Sequence, residues 1–350
     1  MPNRTGRLLL LGVISLATAA PLADACTRAV YFGKDGQTVT GRTMDWASDL
    51  QSNLWIMPRG FTRSSGTESP LTWTSKHGSV IVSIYEGATA DGMNEKGLVT
   101  NILYLAESVY PKAQATDKRP TLSIAGWAQY VLDSYASVAE AVEGMHKEEF
   151  RIVPVAAPTG EAGTVHLSIS DPTGDSAIFE YVDGKLVIHH GRQYQVMTNS
   201  PTYDQQLALN AYWEKIGGTA MLPGTNRAAD RFARASFYVN AARQSADPRE
   251  AVAATFSVMR NVSVPLGIST PGQPNIASTL WFTVSDHKQR AYYFQSTFSP
   301  GIVWVSLAEL DFKEGSGVRK LQLQGNPDVA GNQTANFKPT EMFKFLVSHE

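Results

Sequence analysis

Apolar and polar positions alternate along the first part of the chain with the two-residue period of half-buried strands. "TRAVYF" (27–32) and "TVTGRTM" (38–44) are β-branched and aromatic runs joined by the turn "GKDGQ". "SVIVSIY" (79–85) and "LVTNILYL" (98–105) extend the pattern, with "DGMNEKG" between them read as a turn-rich connection. The period then lengthens. "TLSIAGWAQYVLDSYASVAEAVEGMHK" is helical, with Thr121 as its cap, and Ser137 opens a second helix with Glu140 in the capping-box position. Alternation returns in "TVHLSISDPTGDSAIFEYVDGKLVIHH", where Asp183-Gly184 marks a tight turn, and again in "STLWFTVSDHKQRAYYFQSTF". Between these hairpins the pattern predicts helices over about 203–215, 228–243 and 248–260, the last opening on Asp247-Pro248. Runs of strands and runs of helices, without strict βαβ alternation, predict an α+β fold. No repeat or linker interrupts residues 26–350, which read as a single domain.

The first 25 residues follow another pattern. Arg4 and Arg7 precede the apolar run "LLLLGVISL", and a small-residue stretch ends at Ala23-Asp24-Ala25. This is the layout of a signal peptide cleaved after Ala25, so the mature protein is expected in the periplasm or outside the cell. The run is too short to span a bilayer, for which about 20 residues are needed.

Composition narrows the chemistry. The 350-residue chain is 43% hydrophobic with a formal charge of −2. Removing Arg4, Arg7 and Asp24 leaves 28 basic and 31 acidic residues, a charge of −3, which gives no attraction for nucleic acid. The single cysteine excludes an internal disulfide and thiolate zinc clusters. The seven histidines form no H-E-x-x-H pattern, and His189 and His190 point to opposite sides of a strand. "SDHK" (285–288) fits S-x-x-K but lies on a hairpin with no K-T-G or S-D-N to accompany it.

That lone cysteine, Cys26, directly follows the cleavage site and has three readings. It is a buried structural thiol; or a lipid-anchor site on a non-catalytic periplasmic binding protein, against which stand Asp24 and the lack of a leucine three places earlier; or a nucleophile. In the third reading, cleavage gives one residue a thiol of pKa about 8.5 and an α-amine of about 7.7 to 8, a base beside a nucleophile. A cation must then favour the thiolate and an anion orient the amine. Folding 27–44 as a hairpin returns Arg42 and Asp45 to the start of the first strand. Read structurally instead, those two form a surface ion pair.

Taken together, "CTRAVYF…GRTMDW", "DGMNEKGL" (91–98), "MTNSPTYD" (197–204) and "LPGTNRAADRF" (222–232) resemble the choloylglycine hydrolase family of N-terminal nucleophile enzymes, which includes penicillin V acylases and conjugated bile salt hydrolases. The resemblance implies a four-layer αββα sandwich, two mainly antiparallel sheets between helical layers. It implies hydrolysis of linear amides with Cys26 as nucleophile and base, flanked by Arg42 and Asp45. Asn199 would offer a side-chain N–H, and Tyr104 a backbone N–H, to the oxyanion, while Arg231 steadies the polar network. Without the family, Asn199 reads as a turn residue and Arg231 as a helix-surface charge.

Tyr104 falls where bile salt hydrolases tend to have Asn and penicillin V acylases Tyr. With Trp46, Trp55 and Tyr85, it suits an apolar acyl group. The expected substrates are penicillin V and N-acyl homoserine lactones, with conjugated bile salts as the alternative. No cofactor or metal is called for. The export leader matches the Gram-negative branch, and a homo-oligomer, dimer or tetramer, is expected, although the segment between "TNSPTYD" and "LPGT" is short beside the excursion that helps tetramers of Gram-positive members.

Overall fold

The computed structural model describes residues 26–158, 160, 163–268, 277–326 and 328–347. The leader assigned to residues 1–25 lies outside the described residues. Two large sheets dominate. The first runs in the order Val196–Met197, Thr27–Phe32, Thr38–Asp45, Thr279–Asp286, Ala291–Ser296, Val303–Ser306 and Gly331–Asn332, antiparallel except at its last pair. The second is antiparallel throughout, in the order Lys185–His190, Ser176–Val182, Val165–Ser170, Val99–Tyr104, Ala88–Asn94, Ser79–Ile84, Leu54–Met57, Arg319–Leu321 and Lys338–Pro339.

Helices cover both outer faces. Ala228–Ala241 and Pro248–Asn261 lie on the first sheet, with Tyr203–Ile216 against the former. Ile124–Ser134 and Val138–His146 lie on the second, where Trp127, Val131 and Val142 meet Leu167, Ile169 and Phe179. The fold is thus α+β, the αββα sandwich of the N-terminal nucleophile hydrolases, in accord with the expectation.

The alternation along Thr38–Asp45 divides two kinds of packing. Val39 joins Phe256 and Met259 in an apolar layer under the helices. Thr40 and Arg42 instead face the second sheet, where Thr40 Oγ1 bonds Ser170 Oγ at 2.8 Å and Arg42 Nη1 lies 3.4 Å from Asp91 Oδ2. Arg28, opposite Arg42 in the register, reaches Ile169 O and Ser176 Oγ, both at 3.0 Å. The interior between the sheets is therefore partly polar, and Thr40, Arg28 and Arg42 are each held there by hydrogen bonds, as burial requires.

Two local expectations are corrected. Thr121 does not cap the helix: its N–H and C=O are bound to Ser69 O and Leu71 N, so the backbone stays extended to Ser123, whose Oγ accepts from Ala125 N at 3.1 Å. "DGMN" is not a turn but most of a buried strand, Ala88–Asn94. Gly92 belongs there because a Cβ would sit 2.7 Å from Ile81 Cγ2 and 2.8 Å from Val80 O. The turn begins only at Asn94, whose Oδ1 accepts from Lys96 N and Leu98 N, and Gly97 takes φ 87°. The remaining local readings agree with the structure. Ser137 Oγ caps Glu140 N, although Glu140 reaches back to Ala136 N at 2.8 Å rather than to Ser137. Asp247 caps Pro248–Asn261, and Asp183 and Gly184 both take positive φ at their hairpin turn.

Candidate active site

The first hairpin fixes the centre of the site. Thr27 pairs with Thr43 and Arg28 with Arg42, so Met44 and Asp45 come to lie beside Cys26. Cys26 is 1% exposed and held from every side. Its nitrogen donates to Asn199 Oδ1 at 2.5 Å, and its carbonyl accepts from Arg231 Nη1 at 2.7 Å. Its sulfur lies 3.7 Å from Met44 Sδ, 3.9 Å from Asp45 O and 3.9 Å from Arg42 Nη2.

Asn199 follows the short strand Val196–Met197 on the other side of Thr27–Phe32. Gln206, one turn into the next helix, holds this stretch by donating to Asn199 O at 3.2 Å and Ser200 O at 2.9 Å. The Asn199 side chain uses both ends: Oδ1 accepts from Cys26 N and from Arg231 Nη2 at 3.0 Å, and Nδ2 donates to Tyr104 O at 2.7 Å. The expectation gave its N–H to an oxyanion; the structure adds that its oxygen holds the Cys26 nitrogen. One of the two Nδ2 hydrogens is taken by the Tyr104 carbonyl.

Arg231 is not a surface charge. It is fully buried in the first turn of Ala228–Ala241, with Nε on Asn226 O and Nη1 also on Thr27 Oγ1. Nη1 is 3.8 Å from Asp45 Oδ2. Nor do Arg42 and Asp45 form a surface pair. Arg42 turns to Asp91, to Ile102 O at 2.8 Å and over the Trp281 ring at 4.6 Å, while Asp45 Oδ1 accepts from Thr279 Oγ1 at 2.5 Å. Asp45 Oδ2 is buried with no hydrogen bond.

Burial governs the titration. The Cys26 thiol is raised above 9.0 by desolvation; Arg42 opposes this and Asp45 adds to it. Arg42 was expected to lower the thiol pKa, and it pulls that way, but loss of water outweighs it in the chain in which the Cys26 nitrogen is a peptide nitrogen. Asp45 is raised to about 6, again by burial, against the pull of Arg231 and the Thr279 hydroxyl.

Three of the four predicted aromatics line one cavity with Cys26. A cavity of about 90 Å³ touches Cys26 and is walled by Met44, Trp46, Ile84, Tyr85 and Tyr104. Trp46 Nε1 donates to Tyr85 Oη at 3.0 Å and stands edge-on to Tyr104 at 6.2 Å. Trp55 is elsewhere, packed against Phe343 with Nε1 on Ser83 Oγ at 2.9 Å.

Sequence reasoning missed Asp91, Met44 and Thr279. Asp91 gathers four donors: Arg42 Nη1, Asn101 Nδ2 at 2.6 Å and Thr283 Oγ1 at 3.2 Å on Oδ2, and Tyr292 Oη at 2.5 Å on Oδ1. An acid followed by glycine resembles a turn, and only the alternation of "ATADGMN" could have placed it in a strand. Among the described residues no cluster of three His, Cys, Asp or Glu is placed to hold a metal ion, and no helix is long and apolar enough to cross a membrane.

With this geometry in hand, likeness to known proteins becomes specific. The model of the family described as linear amide C–N hydrolases, choloylglycine hydrolase family, matches residues 26–320. The penicillin V acylase of Pectobacterium atrosepticum is 50% identical over 359 residues, covering 96% of this chain and 96% of that protein. A bile salt hydrolase/transferase of Clostridium perfringens is 26% identical over 295 residues, covering 77% of this chain and 89% of that one. The solved penicillin V acylase from Agrobacterium tumefaciens superposes with a TM-score of 0.85 at 54% identity, covering 92% of this chain and all of that chain.

Proposed function

The chain belongs to the choloylglycine hydrolase family of linear amide C–N hydrolases, and from that premise we propose a penicillin V acylase-like enzyme whose nucleophile is Cys26. The reading rests above all on what surrounds Cys26: an arginine at its sulfur, an amide oxygen on its nitrogen, and a buried carboxylate oxygen on Asp45 that has no hydrogen bond. Cleavage after Ala25, which also accounts for the family match beginning at Cys26, turns that nitrogen into an α-amine. Asn199 Oδ1 already holds that nitrogen, and Asp45 Oδ2, buried without a hydrogen bond, is the acceptor proposed for an added hydrogen. The same cleavage releases the protein to the periplasm or beyond.

In the proposed reaction the amine takes the thiol proton, and the thiolate, favoured by Arg42, attacks the amide carbonyl. The tetrahedral oxyanion accepts from Asn199 Nδ2 and the Tyr104 backbone N–H, donors worth roughly 100- to 1000-fold each. The C–N bond breaks, the α-ammonium gives its proton to the departing nitrogen, and a thioester remains. Water, losing a proton to the regenerated amine, opens the thioester and releases the acid.

The cavity size bears on substrate. About 90 Å³ is less than the roughly 150 Å³ that encloses benzene, so even a phenoxy ring or a straight acyl chain requires walls such as Trp46 and Tyr85 to part. A fused four-ring steroid needs far more. This favours penicillin V and N-acyl homoserine lactones over bile salts, the reading that the Clostridium relative would support. Mass spectrometry of the mature chain should find Cys26 first and unmodified, and product assays should rank penicillin V and a long-chain acyl homoserine lactone above glycocholate. Full turnover by protein retaining even one residue before Cys26 would overturn the assignment of the amine as base.

A further inference from the structure

The family match ends at residue 320, yet the wall of the Cys26 cavity includes Leu346. We propose that residues 342–347 form a fixed strap whose Leu346 closes the acyl cavity and sets the length of acyl chain it accepts. The proposal rests on the reading above, that the cavity at Cys26 receives the acyl group.

Leu346 is held at both backbone ends. Its N–H donates to Gly87 O at 2.7 Å, and its carbonyl accepts from Ser123 Oγ at 2.8 Å. Gly87 and Ser123 immediately precede Ala88 and Ile124, which line the same cavity, so the strap is pinned to the wall it completes. Ser123 is also the cap of Ile124–Ser134, and one hydroxyl thereby fixes both the helix start and the strap. The neighbours of Leu346 anchor the segment. Phe345 is buried and lies nearly parallel to Trp73 at 6.1 Å, and Phe343 meets Trp55 edge-on at 5.1 Å.

The chain makes room for it. A Cβ on Gly87 would fall 2.8 Å from Leu346 Cγ, and one on Gly66, at φ +73°, 2.5 Å from Val347 Cγ1. Leu346 itself is partly exposed and so stands at the outer side of a cavity whose inner side is Cys26, Arg42 and Met44. A side chain so placed meets the far part of an acyl group and not its carbonyl.

The experiment compares hexanoyl, octanoyl, decanoyl and dodecanoyl homoserine lactones as substrates, and the four free carboxylates as ligands followed by tryptophan fluorescence. Wild type, Leu346→Ala, Leu346→Met, Leu346→Phe and Gly87→Ala are used as full chains. Leu346→Ala should raise the dodecanoyl-to-hexanoyl ratio of kcat/KM about tenfold, mainly through KM, since methylene-sized changes in apolar pockets discriminate on that scale. Leu346→Met should stay near wild type, and Leu346→Phe should lower the ratio. Gly87→Ala, which displaces Leu346 without altering it, should also move it. A ratio unchanged within about twofold in folded Leu346→Ala, or in Leu346→Phe and Gly87→Ala should the alanine variant not fold, overturns the proposal. If no lactone is turned over, carboxylate affinities that shift with residue 346 still uphold the strap while counting against acyl homoserine lactones as substrates, and affinities that do not shift refute it.

Discussion

The two sides of Cys26 are built alike and completed differently. Each has a fully buried arginine and a fully buried aspartate: Arg42 with Asp91 toward the sulfur, and Arg231 with Asp45 on the side where Arg231 binds the Cys26 carbonyl and the Asn199 oxygen that holds the nitrogen. On the sulfur side every demand is met, because Asp91 receives four donors and Arg42 divides its hydrogens among Asp91 and the carbonyls of Thr43, Ala90 and Ile102. On the nitrogen side one carboxylate oxygen is left over. A saturated network is a finished piece of structure. A buried acceptor without a hydrogen bond is costly, typically 1 to 3 kcal/mol; under the proposed reaction its donor is the amine that cleavage would set free.

The largest test of that contrast replaces the atom between the two sides. Cys26→Ser keeps the amine but presents a hydroxyl whose proton is far harder to remove; turnover should fall roughly 10⁴-fold or more, with circular dichroism and melting temperature little changed. Substantial serine activity would mean that the sulfur side is not tuned for a thiolate.

Asp91→Asn addresses the saturated side. An asparagine can keep its oxygen toward Arg42, Asn101 and Thr283 and turn its nitrogen to the Tyr292 hydroxyl, so charge is removed with the bonds conserved. Leaving Arg42 buried without its counter-ion should destabilise the fold by about 3 to 5 kcal/mol, read in urea unfolding. A neutral effect would show that the carbonyls alone satisfy Arg42.

Asp45→Asn addresses the open side and has a pH signature. Burial lifts the Asp45 carboxyl from 3.8 to about 6, so between those values the folded chain binds a proton more tightly than the unfolded one. Its contribution to stability is full below about pH 4 and is lost as pH rises through about 6. At about 1.4 kcal/mol per pH unit the loss is roughly 3 kcal/mol. Unfolding of the uncleaved chain at pH 4, 5, 6 and 7 should show this decline, and Asp45→Asn should flatten it. An unaltered slope in the variant would place the titration elsewhere.

Much of this centre could be read from the chain because it is local. The first hairpin follows from alternation and a glycine-containing turn, and with it the approach of Arg42 and Asp45 to Cys26. The three later helices fall within a few residues of their periodicity. What escaped is what alternation does not encode. Asp91 reaches Arg42 across the gap between two sheets, in a strand where Gly92 serves packing against Ile81 and Val80 and not a bend. Leu346 approaches Cys26 from the far end of the sequence, and nothing in "EMFKFLV" distinguishes a cavity wall from ordinary core. Asn199 and Arg231 were legible only through resemblance, since their bonds to Cys26 span 173 and 205 positions.

One consequence concerns measurement. Because Cys26 is the only cysteine and lies sealed beside Met44, colorimetric titration of the folded protein with a small sulfhydryl reagent samples a single location without background. The labelled fraction of a preparation, compared with the same sample in guanidinium, counts how many molecules admit the reagent to that location, and a ligand seated in the slot should slow the reaction in proportion to its occupancy.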